Sequence, residues 1–293
     1  MSEGLLSLAG HPERVKAIHN SESDNTDSEA RNRVIEMLQV AKLFQPAAAI
    51  RKCCTNEGML YCGGCGDDLR MAARHCRHRL CPTCQRRKAF RISKEVEATV
   101  NVLQQNNPGL RLLFITLTVP ACVEEYLVTE QNNLITAFSK LIRRVDLKAH
   151  LIGAVRILEV DFNRTAGMYQ PHIHALLAVR ATYFSKGYLS QRRLVEMWRE
   201  ASGREAREVK VETVKPDQKN SLSPPQRAAE LVRYAMKPVK STDWTPASLA
   251  ILYKTTRNRH LYDFFWAFKS VRKHLEPYQA PCVCSACAAS QPA

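Results

Sequence analysis

Two histidines, His172 and His174, stand one residue apart in the stretch QPHIHALLAV. On a β-strand successive side chains point to opposite faces, so both imidazoles share one face while Ile173 and Ala175 take the other. Each ring offers one neutral nitrogen and the strand fixes their separation, which makes the pair suitable ligands for a divalent cation. The plain alternative is two half-exposed polar residues at a strand edge, and the neighbouring sequence decides between them. Glu159 and Asp161 lie two apart in the preceding apolar run, RILEVDF, and also share a face. If the two runs pair as a hairpin, one carboxylate joins the imidazoles, Glu159 first and Asp161 as the alternative. Two imidazoles, one carboxylate and open positions suit Mg²⁺ or Mn²⁺ held against a phosphate, although similar sets bind iron or zinc.

A second group lies in SPPQRAAELVRYAMKP. Ser223 three residues before Gln226 reads as a capping box, Pro224 suits the first helical position, and Pro238 marks the end. Ala228, Leu231, Val232 and Ala235 then form the buried face, while Glu230, Tyr234 and Lys237 share another. A helical tyrosine ordinarily only packs. A carboxylate one turn before it and a lysine one turn after it point to a reactive phenol.

The third group is cysteine. Cys62 and Cys65 form one CxxC and Cys81 and Cys84 another, with fifteen residues between them. Four thiolates at this spacing close a tetrahedron around a structural zinc that builds the fold and performs no chemistry. Cys76, His75, His78, Cys53 and Cys54 are further candidates, so the ligand set stays open, with Cys76 added to the paired cysteines. From Arg70 to Lys94 there are nine Arg or Lys and no acid. Arg74, Arg77, Arg79, Arg86, Arg87 and Lys88 are the phosphate-gripping candidates, against the bland reading of a solvated face. The CVCSAC stretch, with Cys282, Cys284 and Cys287, reads as a reduced, mobile tail.

Positioning these groups requires a substantial core. The chain has 293 residues, 45% of them apolar, enough for one large or two modest domains. Residues 1 to about 30 read as an acid-leaning disordered tail, followed by a helix near ARNRVIEMLQVAKLF. A helix from about Cys84 to Leu103 leaves the cysteine region. LRLLFITLTVP, LIGAVRILEVDF, PHIHALLAV and REVKVETV read as strands, with helices near EQNNLITAFSKLIRRV and SQRRLVEMWREA, and a helical stretch after Pro238. This mixed order predicts an α+β fold, an antiparallel sheet covered by helices. It divides into an acidic segment at 1–50, a basic zinc-binding module at 51–95, a catalytic domain at 96–240 and a basic helical extension at 241–293.

Lys and Arg number 43 against 28 Asp and Glu, a formal charge of +15. Such an excess favours a polyanionic partner and disfavours a small-molecule metallohydrolase. No apolar run is long enough to span a bilayer and no secretion signal opens the chain, so a cytoplasmic protein without a membrane partner is expected. Eleven clustered cysteines then read as metal ligands rather than disulfides.

With these pieces located, residues 50 to 240 resemble the rolling-circle plasmid replication initiators of the HUH endonuclease superfamily. The resemblance is carried by HCRHRLCPTCQRRKA, FITLTVP, RILEVDF leading to PHIHALL, and AAELVRYAMKP, in this order. It implies that His172 and His174 ligate a catalytic Mg²⁺ or Mn²⁺ and that Tyr234 attacks DNA. Attack at a single-stranded or hairpin nick site in a plasmid origin leaves a 5′-phosphotyrosine and a priming 3′-hydroxyl. Glu230 matches the carboxylate four residues before the nucleophile, and host helicase and polymerase are the implied partners. The departure is Cys62 and Cys65, which blurs the match to the family's zinc ligands. Two other readings are an HUH-type transposase, disfavoured because Glu230 stands where a second tyrosine would, and a zinc-ribbon DNA-binding regulator without catalysis.

Overall fold

The computed structural model describes residues 22–53, 55–61, 69–185, 187–205 and 209–275. Two helices come first, α1 (Glu22–Val40) and α2 (Phe44–Arg51), then a small antiparallel hairpin of β1 (Thr55–Tyr61) and β2 (Leu69–Arg74). A long helix α3 (Pro82–Asn106) leads to β3 (Arg111–Thr118), α4 (Glu124–Ile142) and a short turn of helix, α5 (Val145–Lys148). Next is the hairpin of β4 (Leu151–Asn163) and β5 (Met168–Val179), followed by α6 (Thr182–Ser185), α7 (Gln191–Ser202) and β6 (Val209–Thr213). The described chain closes with α8 (Pro224–Ala235), α9 (Pro246–Thr256), β7 (Tyr262–Trp266) and α10 (Ala267–Lys273).

Five strands form one antiparallel sheet in the order β6-β3-β5-β4-β7. This is the expected α+β arrangement, with helices on both faces. Alternation along the strands divides the core in two. Leu113, Ile115, Leu158, Ile173 and Leu177 pack under α4 and α7, against Phe138, Met197 and Trp198. Leu112, Phe114, Val155, Ile157 and Leu176 pack under α3, α8 and α10, against Val96, Val232 and Phe268. The central strand β5 is therefore buried on both sides, which is why ALLAV reads as an unbroken apolar run. Each large aliphatic side chain so buried contributes roughly 1.5–3 kcal/mol, and a one-residue slip would exchange the two faces of the strand. Core packing thus fixes the face on which His172 and His174 project.

A third cluster joins α1, α2 and the cysteines to α9 and to the tip of the β4–β5 hairpin, through Leu38, Ile50, Leu80, Leu249 and Tyr169. Phe162, Tyr169 and Trp244 form an aromatic group there, with centroid separations of 4.9 to 6.3 Å.

Three sequence readings need correction. The first helix begins at Glu22, inside the stretch read as a disordered tail, because Val34, Ile35 and Leu38 anchor it in the third cluster. The β4–β5 turn has four residues, Arg164 to Gly167, because β5 starts at Met168 rather than at Pro171. The third concerns YDFFW, read as part of a helix. It is β7, the edge strand beside β4, where aromatic β-propensity and pairing of Phe264 with Val155 prevail. Among the described residues no helix is long and apolar enough to cross a membrane.

Candidate active site

Hairpin register sets Glu159 directly opposite His172 across β4 and β5. His174 lies opposite Thr116 on β3. Glu159 Oε2 is 3.2 Å from His174 Nε2 and 3.5 Å from His172 Nε2, and the three ligand atoms lie within 4.8 Å of one another. Asp161 stands at the rim, its Oδ2 3.9 Å from His172 Nε2 and its side chain 62% exposed. Phe114 stacks on the His174 ring, with centroids 5.6 Å apart, and closes the apolar side of the site.

The donor set fits a cation on local grounds. His172 Nδ1 lies 3.0 Å from the Gln170 carbonyl, which can only accept, so Nδ1 carries the proton and the neutral ring turns a lone pair on Nε2 toward Glu159. His174 Nδ1 is 3.0 Å from Thr116 Oγ1, so its Nε2 also points inward. Glu159 Oε2 is buried with no aligned hydrogen-bond partner, although both imidazoles approach it. A buried, unpartnered carboxylate oxygen facing two ring nitrogens is what a bound cation completes. Burial opposes ionisation of Glu159, but the imidazoles and Lys237 outweigh it and hold the carboxyl down at about 2. Burial likewise opposes charge on His172, and the same carboxylate outweighs it to raise that pKa. The site attracts positive charge, as proton or as metal ion.

Helix α8 presents the expected nucleophile. Gln226 accepts the Ser223 backbone N–H at 2.9 Å, the capping-box contact, and Pro224 and Pro225 follow in the first turn. Ala228, Ala229, Val232 and Ala235 are buried against the sheet, so Tyr234 is turned outward and is 64% exposed. Lys237, just past the helix end, bridges the two halves of the site. Its Nζ is 3.5 Å from Glu159 Oε1 and 4.5 Å from the Tyr234 ring centroid. Burial lowers the Lys237 pKa less than the charges of Glu159, Tyr234 and Asp161 raise it, which keeps the ammonium form. Glu230 is held by Arg227 on the same helix at 2.6 Å.

The second group of residues able to hold a metal lies in the third cluster. The described structure groups Cys53, after α2, with Cys76, Cys81 and Cys84. Three of the Sγ separations are 3.5, 3.6 and 3.6 Å. A tetrahedron with Zn–S of about 2.3 Å has edges of about 3.8 Å, so the sulfurs already stand near zinc-ligand spacing. The His78 N–H donates to Cys76 Sγ at 3.4 Å, as in a metal knuckle. Hydrogen bonding to Cys76 and then burial push the Cys81 thiol up, and burial followed by Cys81 pushes up Cys84. Without a cation these buried sulfurs stay protonated; zinc would displace the protons. Cys62, Cys65 and Cys54 lie outside the described residues, as do Cys282, Cys284 and Cys287.

The basic candidates divide by position. Arg79 donates to the carbonyls of Thr256 and, at 2.8 Å, Arg259, so it ties the cysteine turn to the end of α9. Arg77 is exposed in that turn with a left-handed φ of 53°. Arg86 and Arg87 are exposed near the start of α3, and Lys88 Nζ sits 4.8 Å from the Tyr262 ring centroid. Arg74 ends β2. Sequence reasoning missed the Thr116 contact to His174 and the Lys237 contact to Glu159. The first is legible only through strand register, because Thr116 and His174 are 58 residues apart.

The profile of a family described as "Replication protein" matches residues 69–283. A curated protein named "Protein rep" from Streptococcus pneumoniae is 30% identical over 231 residues, covering 72% of this chain and 70% of its own length. Another of that name from Staphylococcus aureus is 31% identical over 153 residues, covering 51% of this chain and 66% of its own. A third, from Lactiplantibacillus plantarum, is 32% identical over 198 residues, covering 63% and 62%. The chain thus spans about two thirds of the length of these relatives. No solved structure matches.

Proposed function

We infer the chemistry from one premise: this chain belongs to the replication protein family, the initiators of rolling-circle plasmid replication. It acts on DNA, and the proposed reaction is HUH-type nicking of one strand at the plasmid origin. The observation that carries this reading is Lys237, which bridges the Glu159 carboxylate and the Tyr234 ring. A nucleophile and a cation site are thereby joined through one positive side chain.

His172, His174 and Glu159 would hold Mg²⁺ or Mn²⁺, which when bound polarises a phosphate oxygen and offsets its growing negative charge. Tyr234 is the nucleophile. A free phenol is largely protonated near neutral pH, so the Lys237 ammonium beside it has the task of favouring the phenolate. The phenolate oxygen bonds to phosphorus as the bond from phosphorus to the 3′ oxygen breaks. The 3′ oxygen takes up a proton and leaves as a hydroxyl that host polymerase can extend, while the 5′ phosphate stays on Tyr234. Glu230 is proposed to deprotonate water when the regenerated origin is cut at termination; its release from Arg227 would be part of that step. Cys53, Cys76, Cys81 and Cys84 would hold zinc in a structural role, closing the fold around α2 and the start of α3 without taking part in the chemistry.

Incubation with single-stranded fragments of the cognate plasmid origin and Mn²⁺ tests the reading. A covalent protein–DNA adduct mapped to Tyr234 by mass spectrometry is expected, and it should vanish in Tyr234→Phe. An adduct on another residue, or none with the native protein, would overturn it.

A further inference from the structure

Beside the cysteine cluster, and lined in part by Cys76 and Cys84, lies a groove of about 1290 Å³. One wall is the turn from His75 to Arg79 with the start of α3; the other is the end of α9 with Tyr262 of β7. No Asp or Glu lines it, whereas Arg77, Arg87, Lys88, Arg91 and Arg257 do. Arg91 is paired with Glu95 at 2.7 Å, but among the described residues Arg77, Arg87 and Arg257 form no ion pair. Aromatic rings interleave with these charges. Tyr253 stacks with His78 at 5.2 Å and 29°, Tyr262 lies under Lys88, and Phe90 lines the same wall as Arg87. The groove continues into a second cavity of about 370 Å³, since Arg79, Lys88, Thr256 and Tyr262 line both. That cavity is also lined by Glu159, Asp161 and Lys237.

We propose that this groove holds single-stranded DNA flanking the nick site and leads the scissile phosphate to the Glu159–His172–His174 centre, the cysteine cluster shaping one wall. The proposal rests on the nicking reading above and adds to it the path of the strand. Size and chemistry choose the ligand. The volume exceeds the ~300–1000 Å³ of a small-molecule pocket, and a row of uncompensated guanidinium groups fits a chain of phosphates. Aromatic faces between those charges match unpaired bases, which stack on them, whereas a duplex keeps its bases covered and presents phosphates alone. Cys76 and Cys84 themselves line the groove, so a metal held by these sulfurs would also set the position of Arg77 and His78.

The test is fluorescence anisotropy in the Tyr234→Phe background with no added Mg²⁺ or Mn²⁺, using a labelled 25-nucleotide oligothymidine and a duplex of equal length. Binding is then read without cleavage, so this proposal can fail while the nicking reading stands, and the reverse. Arg87→Glu with Arg257→Glu should weaken single-strand binding at least tenfold and flatten the salt dependence by roughly 1.4 in log–log slope, two phosphates at about 0.7 each. Tyr253→Ala should cost about 5- to 150-fold on the single strand, the range of one lost base stack, and much less on the duplex. Arg192→Glu is the control, on the far face of the sheet with a side chain 90% exposed, and should cost less than the groove variants. Zinc content and circular dichroism must match the parent in every variant, and Arg257→Gln alone serves if the double variant does not fold. Unchanged single-strand affinity, equal losses on single strand and duplex, or an equal loss in Arg192→Glu would each overturn the proposal.

Discussion

Glu159 and His172 stand in register on adjacent antiparallel strands, with the carboxylate oxygen 3.5 Å from Nε2. The relationship is one of backbone pairing before it is one of chemistry. Because both strands are locked by core residues on each side, ligand separation is set by the ladder rather than by flexible loops. A candidate site carried on strands is held in place by the sheet itself.

The first prediction tests those ligands. Glu159→Gln keeps the shape of the side chain but removes the charge that Lys237 and the imidazoles share. Mn²⁺ binding at this site, followed by titration calorimetry, should fall at least tenfold, and His172→Ala should remove it along with nicking. Affinity for DNA should largely survive, because phosphate contacts elsewhere supply most nonspecific binding. Full nicking by His172→Ala would end the assignment.

A subtler test is Thr116→Val. Thr116 Oγ1 reaches His174 Nδ1 at 3.0 Å and so orients the ring from outside the Glu159–His172–His174 set. Loss of such an outer contact typically costs about 10- to 100-fold in metal affinity or activity. Mn²⁺ affinity should drop within that range while thermal stability and DNA binding change little, and Thr116→Ser should restore it. Equal metal affinity in the valine variant would make the contact incidental.

For the cysteines, the described cluster makes a prediction that spacing alone does not. If Cys53, Cys76, Cys81 and Cys84 are the ligands, Cys53→Ser should release zinc and destabilise the region that Leu80 and Ile50 anchor. Cys62→Ser should retain it. Elemental analysis of the two purified variants decides, and the opposite pattern would return the site to the paired CxxC motifs.

What is legible in the sequence is set by the range of each contact. Alternation in PHIHALLAV and the Ser223–Gln226 cap are local, and they led to the histidine face and the start of α8. Cys53 belongs to no CxxC and lies 31 residues from Cys84, so only the packing of α2 brings it in. Lys237 was legible as a neighbour of Tyr234 through helical spacing, but its contact with Glu159 crosses 78 residues. β7 escaped because five aromatic-rich residues have no periodicity strong enough to override a helical context, and the edge of β4 supplies the missing partner.

The last prediction separates Tyr234 from Glu230, and with them initiation from termination. Tyr234→Phe removes only a hydroxyl from an exposed side chain, so stability should hold while adduct and nicking vanish together. Glu230 is assigned the lesser task and has a competing partner in Arg227. Its carboxylate is bound to Arg227, an i to i+3 pair with both side chains partly exposed, so loss of that pair alone should cost a few tenths of a kcal/mol. If the carboxylate is the base that activates water at the second cut, help of that kind is worth about 10² to 10⁴ in rate. Glu230→Ala should then nick and form the phosphotyrosine link at nearly the parental rate, yet terminate poorly and leave products longer than one plasmid unit. Arg227→Gln gives the reciprocal test, since it frees Glu230 without removing it, and termination should persist or quicken. Single-unit circles made at the normal rate by Glu230→Ala would reduce Glu230 to a helix-surface charge, while leaving Tyr234 as the nucleophile untouched.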